Sequence, residues 1–523
     1  MRVLLRCDGG GPLGVGHVMR SLALAEAAVA AGHDVVVAGH FEGSFVQGQL
    51  AVAPVEAVQL AARVPDARPE PLLELIQRFR PDVLHLDSYE LRGSLTGSIV
   101  LSNMEDGTFG RRRADVVVDP TLGAELSARP DDGSTWLLRG SRYAPLRERV
   151  IDARRRATDD TAAAAGIPVE EVARAVLVVM GGSDPVGLAP AAVDLLARTG
   201  LALEVTAIAV GENAERVRAA ARGSALSLNV LAPAGDLVAM MSRHDLVISA
   251  AGTSVWELCC IGVPMAVLWA VDNQRGGYDQ VVAAGAAVGL GGPELGGSEP
   301  SGHERAVGLL RTALTDSRVR ADLALAGRRV VDGLGAWRVV RTWEQALRLG
   351  TSARPVSTKH EPSNRLTARP AGMHDARLLW EWRNDPRARA GSRNSDTVPW
   401  LEHQAWLESS LARTDRMLLV VEDPVGPVGT VRWDLGCEGE WEVSIAVAPH
   451  RRGQSLARPV LRAAEVALSD VAQSSGTHVT AYLAVVHVDN AASVRLFETS
   501  AYVPDLPPDP RGFMRYRKVA RVT

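Results

Sequence analysis

The sequence predicts an α/β protein in three parts: two doubly wound lobes over residues 1–155 and 156–350, a linker over 351–365, and a separate α/β domain over 366–523. Three observations predict it. Residues 1 to 350 alternate short apolar runs with amphipathic stretches. The runs include Val3-Leu4-Leu5, Val35-Val36-Val37, Val83-Leu84, Val116-Val117-Val118, Val176–Val179, Leu246–Ile248 and Met265–Leu268, and Ser21–Ala31 and Gly187–Arg198 lie among them. That rhythm marks βα units in mostly parallel sheets. A charged then alanine-rich stretch, 152–166, separates the lobes. The segment from Gly350 to Pro370 is polar, holds three prolines and has no periodicity, as a linker does. Beyond it the texture changes, with Trp380, Trp382, Trp400, Trp406, Trp433 and Trp441 crowded together.

Length and charge agree. The chain has 523 residues, which suggests roughly three domains of about 150 each. A net charge of −4 excludes a strongly basic nucleic-acid binder and an acidic disordered tail. Lys359 and Lys518 are the only lysines, so nearly all positive charge is arginine, read first as codon bias. No run approaches the roughly 18 apolar residues of a membrane helix, and no apolar signal-peptide core follows Met1. Cys7, Cys259, Cys260 and Cys437 form no Cys-x-x-Cys. Neither disulfides nor zinc are expected, and a reducing cytoplasm is the expected location.

The first strand runs into Cys7-Asp8-Gly9-Gly10-Gly11-Pro12-Leu13-Gly14-Val15-Gly16-His17-Val18-Met19-Arg20. Glycines let the backbone turn tightly, and a helix starting near His17 offers unpaired N–H groups to an anion. Gly9, Gly11 and Gly14 fit a dinucleotide fingerprint, but the second strand ends in Val37-Ala38-Gly39-His40 without the acidic residue that binds ribose. Dinucleotide binding is therefore discounted. His17 either packs the loop or serves as a general base near neutral pH.

The second lobe carries Gly181-Gly182-Ser183-Asp184-Pro185 after one buried strand. After another comes Ala251-Gly252-Thr253-Ser254-Val255-Trp256-Glu257-Leu258-Cys259-Cys260-Ile261-Gly262-Val263-Pro264. The turn Ala251–Ser254 sets N–H groups and hydroxyls at a helix start, suited to a diphosphate. Glu257, one turn in, either favours the helix dipole or accepts hydrogen bonds from a ribose diol. The next strand ends near Asn273-Gln274, at the carboxyl edge where ligands bind in open α/β sheets. No Asp-x-Asp triplet of the kind that holds Mg²⁺ beside a sugar nucleotide is present, so no metal is expected.

Together these motifs resemble the PseG family, the UDP-sugar hydrolases of pseudaminic acid biosynthesis. Asp87-Ser88-Tyr89 is similar to that family's Asp-x-Tyr, and Leu138–Arg147 to its Gly-x-x-Tyr-Ala-x-Leu-Arg segment. The resemblance covers about residues 1–345 and implies a GT-B fold, two Rossmann-like lobes flanking the active site. It implies cleavage of UDP from a 2,4-diacetamido-2,4,6-trideoxy sugar of the altrose type. His17 is then the base on water, with Tyr89 and Asn273 at the sugar. Gly14, Gly16, Arg20, Gly182, Ser183, Gly252, Thr253, Ser254, Glu257 and Gln274 are the expected substrate-binding residues. Glu105-Asp106 stands where the family usually has Asp-Asp, and Cys7 where it usually has Ala.

In the third part, strands over Met417–Glu422, Val428–Asp434 and Glu440–Val447 lead to Arg452-Gly453-Gln454-Ser455-Leu456-Ala457 and an amphipathic helix. This resembles the GNAT acetyltransferases, whose Arg/Gln-x-x-Gly-x-Gly/Ala loop wraps the pyrophosphate of acetyl-CoA; Ser455 replaces a usual glycine. Asn490 in Asn490-Ala491-Ala492-Ser493 matches the family's asparagine toward the CoA arm. Trp382-Arg383-Asn384 and His403-Gln404-Ala405-Trp406 look like the PseH-type branch, which acetylates a UDP-4-amino sugar. Phe497 stands where a tyrosine general acid is common, leaving Tyr502 or Tyr482 as substitutes. Glu442 is either a base or a strand-surface glutamate. The expected whole is a bifunctional enzyme that N-acetylates a UDP-4-amino-4,6-dideoxy-N-acetyl sugar with acetyl-CoA and then hydrolyses the product. The alternatives are a metal-free GT-B glycosyltransferase fused to an acetyltransferase, or a non-catalytic sugar-nucleotide-binding protein. The expected partners are the UDP-amino sugar and acetyl-CoA, with no nucleic acid and no membrane.

Overall fold

The structure is a computed structural model. It describes residues 1–10, 14–61, 70–90, 99–163, 172–181, 184, 186–233, 236–293, 300–350, 366–390 and 395–520. The chain divides into two compact units. One comprises residues 1–127 and 137–347, the other 348–523 with the segment 128–136. The expected linker, 351–365, lies outside the described residues.

The first unit holds two sheets. Strands β1 (Arg2–Cys7), β2 (Asp34–Gly39), β3 (Glu56–Gln59), β4 (Val83–Asp87), β5 (Val100–Met104), β6 (Val116–Asp119) and β7 (Trp136–Arg139) lie in the order β3-β2-β1-β4-β5-β6-β7. The pairings from β3 through β6 are parallel. The β-branched runs fill these strands because a sheet covered by helices on both faces buries every side chain. The strand order reverses between β1 and β4, and their register sets Cys7 beside Asp87. That reversal opens a crevice at the carboxyl ends of the two strands.

The second sheet repeats the plan. Strands β8 (Ala175–Val179), β9 (Glu204–Ile208), β10 (Ser227–Leu231), β11 (Leu246–Ala250), β12 (Met265–Leu268) and β13 (Val288–Gly291) pair in parallel, in the order β10-β9-β8-β11-β12-β13. Its reversal falls between β8 and β11, whose carboxyl ends carry the Gly181 loop and the Ala251–Ser254 turn.

The junction expected at 155/156 falls inside one helix, Glu148–Ala163. Val150 and Ala153 already belong to the second lobe's core, and the Arg154 guanidinium donates to the carbonyls of Cys260 and Val331, each at 2.8 Å. The change of lobe therefore comes ahead of that helix. The last helix of the unit, Gly335–Leu349, returns to the first lobe. Its fully buried Trp343 lies 5.5 Å, ring to ring, from His85 of β4. A side chain at Gly335 would overlap the Ala144 carbonyl, with a Cβ only 2.2 Å from that oxygen.

In the second unit, β14 (Thr367–Pro370), β15 (Arg416–Asp423), β16 (Gly426–Leu435), β17 (Glu440–Val447), β18 (Ala481–His487), β19 (Val503–Leu506) and β20 (Phe513–Val519) form one sheet, ordered β14-β15-β16-β17-β18-β20-β19. All pairs are antiparallel except β17–β18. One face packs on the helix Ala457–Ser475 through Trp433, Trp441, Val460 and Leu461. The other packs on the helices Ala376–Asn384 and Trp400–Leu411 through Leu379, Leu407, Leu418 and Val420. Among the described residues no helix is long and apolar enough to cross a membrane.

Trp343→Ala removes a large buried side chain and leaves a cavity under β4, so it is expected to cost about 3–5 kcal/mol. Urea unfolding followed by far-UV circular dichroism checks this; an unchanged midpoint for the first unit's transition would contradict the packing described.

Candidate functional site

The helix Gly16–Ala30 begins at the crevice between β1 and β4, capped by Val15 without a side-chain hydrogen bond. Its first amides therefore donate no hydrogen bond to a capping side chain, as helix starts leave their leading N–H groups without an intrahelical partner. The Gly10 amide donates to the Gly14 carbonyl at 2.7 Å, closing the loop, and Gly14 takes φ +69° with open space around it.

One turn of this helix faces the end of β4. The His17 ring bonds through Nδ1 to Asp87 Oδ1 at 2.6 Å. Arg20 grips the same carboxylate with two prongs, Nε to Oδ2 and Nη2 to Oδ1, both 2.6 Å. Asp87 is fully buried. Burial pushes its carboxyl up, but the Arg20 guanidinium and His17 outweigh this and hold it well below the usual carboxylate range. An ionised Asp87 accepts the Nδ1 proton. Arg20 Nη2 also lies 3.0 Å from the same ring nitrogen; with the proton on Nδ1 facing Asp87, Nε2 keeps its lone pair, and it makes no hydrogen bond to any described residue.

Arg20, expected to bind substrate, is turned inward instead. Besides Asp87 it donates from Nη1 to Asp106 Oδ2 at 2.7 Å. Tyr89 donates its hydroxyl to that same oxygen, and its ring meets His17 edge-on at 4.6 Å. His17, Tyr89 and Arg20 are thus tied by two carboxylates, Asp87 and Asp106, that motif reading did not place in the site. The signal was present, since Asp87 opens the Asp-x-Tyr triplet. What sequence could not reveal was the β1–β4 adjacency that brings residues 17 and 87 together.

The opposite turn lies close by. A Cβ at Gly16 would come within 3.4 Å of Thr253 Cγ2, so glycine admits the close approach of the two helix starts. Thr253 caps the helix Ser254–Ile261, and Gln274 accepts from the Ala270 amide at 2.9 Å with its Nε2 beside Gly252. Glu257 is half-buried and makes no hydrogen bond to a described residue. Burial raises its carboxyl above the usual range, against the pull of Arg149 and Arg147. Arg147 is itself held by Glu26 at 2.5 Å and Gln49 at 3.2 Å. Gly182, Ser183 and the Asn273 side chain lie outside the described residues. Asp184 caps the helix Leu188–Arg198 through the Leu188 and Ala189 amides, at 2.8 and 2.9 Å.

In the second unit β17 and β18 pair only from Glu440–Val443 against Ala481–Ala484. The remaining halves of both strands diverge, and the loop after β17 opens at the mouth. Gly453 and Ser455 both have positive φ, +80° and +57°. A glycine is common at the latter position because L side chains disfavour this region. Leu456 is buried and seats the start of the helix Ala457–Ser475. Arg452 donates to Asp385 Oδ1 at 2.5 Å. Gln454 accepts from Arg451 Nε at 3.0 Å, and Arg451 also pairs with Asp423. Asn490 caps the helix Ala491–Thr499, its Oδ1 taking the Ser493 amide at 3.1 Å, so only its amide N–H groups remain for a ligand.

The substitutes for the missing tyrosine do not reach this mouth. Tyr502 is fully buried and donates to Glu465 at 2.8 Å. Tyr482 is buried and shares a 2.8 Å bond with Ser469. Burial raises both phenols. Glu442 lies across from Asp434 and alternates with the buried Trp441 and Val443, on the other sheet face. A cleft of about 450 Å³ opens beside the loop, lined by Trp380, Glu381, Trp382, Asn384, Asp385, Pro449 and His450.

Residues 365–502 match the acetyltransferase (GNAT) domain family, so the C-terminal part of the chain carries a GNAT acetyltransferase domain. A solved structure similar to this part is spermidine N-acetyltransferase from Vibrio cholerae in complex with CoA and spermine. It is 18% identical over 30% of this chain and 96% of its own, with a TM-score of 0.27. MurG of Acinetobacter baumannii is 17% identical over 66% of this chain and 99% of its own, with a TM-score of 0.44. Among curated proteins, the spore coat polysaccharide biosynthesis protein SpsG of Bacillus subtilis (strain 168) is 34% identical over 104 residues, 20% of this chain. The match spans 29% of that relative's length.

Ser455→Gly relieves a left-handed conformation that serine tolerates poorly. It is expected to leave thermal stability unchanged or raised by up to about 1 kcal/mol; a lowered melting temperature of the second unit would refute the assigned backbone.

Proposed function

We propose that the first unit hydrolyses a UDP-sugar and that the GNAT domain N-acetylates its precursor, a UDP-4-amino-4,6-dideoxy-N-acetyl sugar, with acetyl-CoA. The observation that carries the hydrolytic reading is the buried Asp87–His17 pair. It leaves the ring's Nε2 side at the crevice, beside a second helix start that suits a diphosphate. The 104-residue relation to SpsG, a polysaccharide biosynthesis protein, supports a sugar-nucleotide substrate.

In this reading, water attacks the anomeric carbon as His17 Nε2 takes its proton. The carbon–oxygen bond to the diphosphate breaks, and UDP leaves with the electron pair. The helix-start amides near Ser254 stabilise the charge, and Glu257 accepts from the ribose diol. Asp87 stabilises the imidazolium, as a fixed carboxylate does behind a base. Arg20 keeps Asp87 ionised, and Asp106 fixes the Tyr89 hydroxyl against the sugar side. Asn273 belongs to the same sugar subsite. In the acetyltransferase, the free amine of the acceptor attacks the thioester carbonyl and the C–S bond breaks. One proton of the bound ammonium passes to solvent before attack and a second N–H proton goes to the departing sulfur, so CoA leaves as thiol, and the loop Arg452–Ala457 holds the pyrophosphate. The acetylated sugar nucleotide is then the substrate of the first unit.

The full chain given acetyl-CoA and a UDP-4-amino sugar is expected to release UDP and a free diacetamido sugar, read by mass spectrometry. Release of UDP only when a second sugar is supplied would favour a glycosyltransferase and refute hydrolysis. His17→Gln is expected to lower UDP release ~10²–10⁴-fold with acetylation intact. Glu257→Gln tests the pH limb. Because Glu257 protonates above the usual carboxylate range, wild-type UDP affinity should weaken on acidification at a pH where ordinary carboxylates are still ionised. The variant, which lacks this titration, should show no such limb by calorimetry.

A further inference from the structure

The cleft beside the GNAT loop has four polar side chains on its wall, and three have settled partners. Glu381 pairs with Arg377 at 2.7 Å. Asn384 is held on both sides of its amide by the Val398 backbone, at 2.8 and 2.9 Å. Asp385 pairs with Arg452 at 2.5 Å. This last partner differs in kind, because Arg452 begins the loop that takes the cofactor's pyrophosphate. A dianionic pyrophosphate and a single carboxylate compete for one guanidinium, and the diphosphate offers the larger charge. Once Arg452 turns to it, Asp385 stands in the cleft as a carboxylate without that cation. An aspartate carboxyl open to water is ionised at neutral pH without a cationic partner, so the released group keeps its charge.

We propose that Asp385 is a specificity-determining residue linking the two substrates: it holds Arg452 until acyl-CoA takes that arginine, and the carboxylate so released receives the acceptor amine in its ammonium form. Cofactor then binds first and prepares the acceptor subsite between Trp380, Trp382 and His450. The proposal rests on the acetyltransferase reading. It goes beyond it in naming the group that recognises the acceptor's charge and in setting the order of binding.

Asp385→Asn is the discriminating substitution. Asp385 Oδ1 also accepts from the Ala388 amide at 3.0 Å and caps the short helix Pro386–Ala390. Asparagine caps as well as aspartate, so the variant loses charge and keeps the cap. Calorimetric titration of the full chain with coenzyme A is expected to show binding roughly two- to tenfold tighter in Asp385→Asn than in wild type, since no carboxylate competes for Arg452. In an Arg452→Gln background the same substitution should change affinity by less than about twofold. The acceptor's KM should move the opposite way, rising while coenzyme A tightens. Equal or weaker coenzyme A binding in Asp385→Asn would overturn the proposal, as would the same shift in both backgrounds. Asp385→Ser, which also caps, repeats the measurement if the first variant folds poorly. Failure of the wild type to bind coenzyme A at all would instead overturn the acetyltransferase reading itself.

Discussion

The organisation of the first unit's site depends on one buried charge. Asp87 has no water to solvate it, and an isolated carboxylate in such a place would take up a proton. It remains ionised because Arg20 meets it with two prongs and His17 with a third hydrogen bond. The local order follows from that balance. The ionised carboxylate holds the imidazole through Nδ1, and the arginine's other arm carries the order on to Asp106 and Tyr89. Loss of the arginine would not merely delete a contact. It would remove the largest charge that opposes the burial of Asp87 and leave His17 to hold the carboxylate alone.

The same topological device is used twice in this unit. Each sheet reverses its strand order once, and each reversal exposes two strand ends side by side. In one lobe the exposed ends supply a histidine and the buried carboxylate bonded to it. In the other they supply a helix start and a half-buried glutamate. Division of labour between the lobes thus comes from the side chains placed at equivalent points, not from different architecture. The second unit relies on another break in regularity. There a parallel strand pair parts after four residues, and the loop that follows adopts two left-handed positions.

Strands rich in β-branched residues, such as Val35–Val37 and Val116–Val118, were legible because burial on both faces demands an uninterrupted apolar run. The edge strands Glu56–Gln59 and Thr367–Pro370 were not, since their polar residues satisfy only one neighbour and carry no pattern. His17 was legible from the glycine loop alone. Its partner Asp87 lies seventy residues away, and only the spatial order of strands joins them. Arg20 was expected at the substrate from its motif; that its guanidinium meets Asp87 and Asp106 depends on the spatial order of strands, which the motif does not carry. Tyr482 and Tyr502 were offered as acids on residue type. Their positions point into the sheet's packed face, where phenols serve Ser469 and Glu465.

The return of the helix Gly335–Leu349 to β4 has a consequence for biosynthesis. The first lobe is translated ahead of the second, yet the indole that fills the space beneath its central strand belongs to residue 343. That lobe cannot complete its interior until the whole intervening lobe has been translated, some seconds to tens of seconds later at ordinary elongation rates. Until then its parallel strands wait with one apolar face incompletely covered. Any division of the gene into separately expressed halves must therefore keep this terminal helix with the sheet it closes.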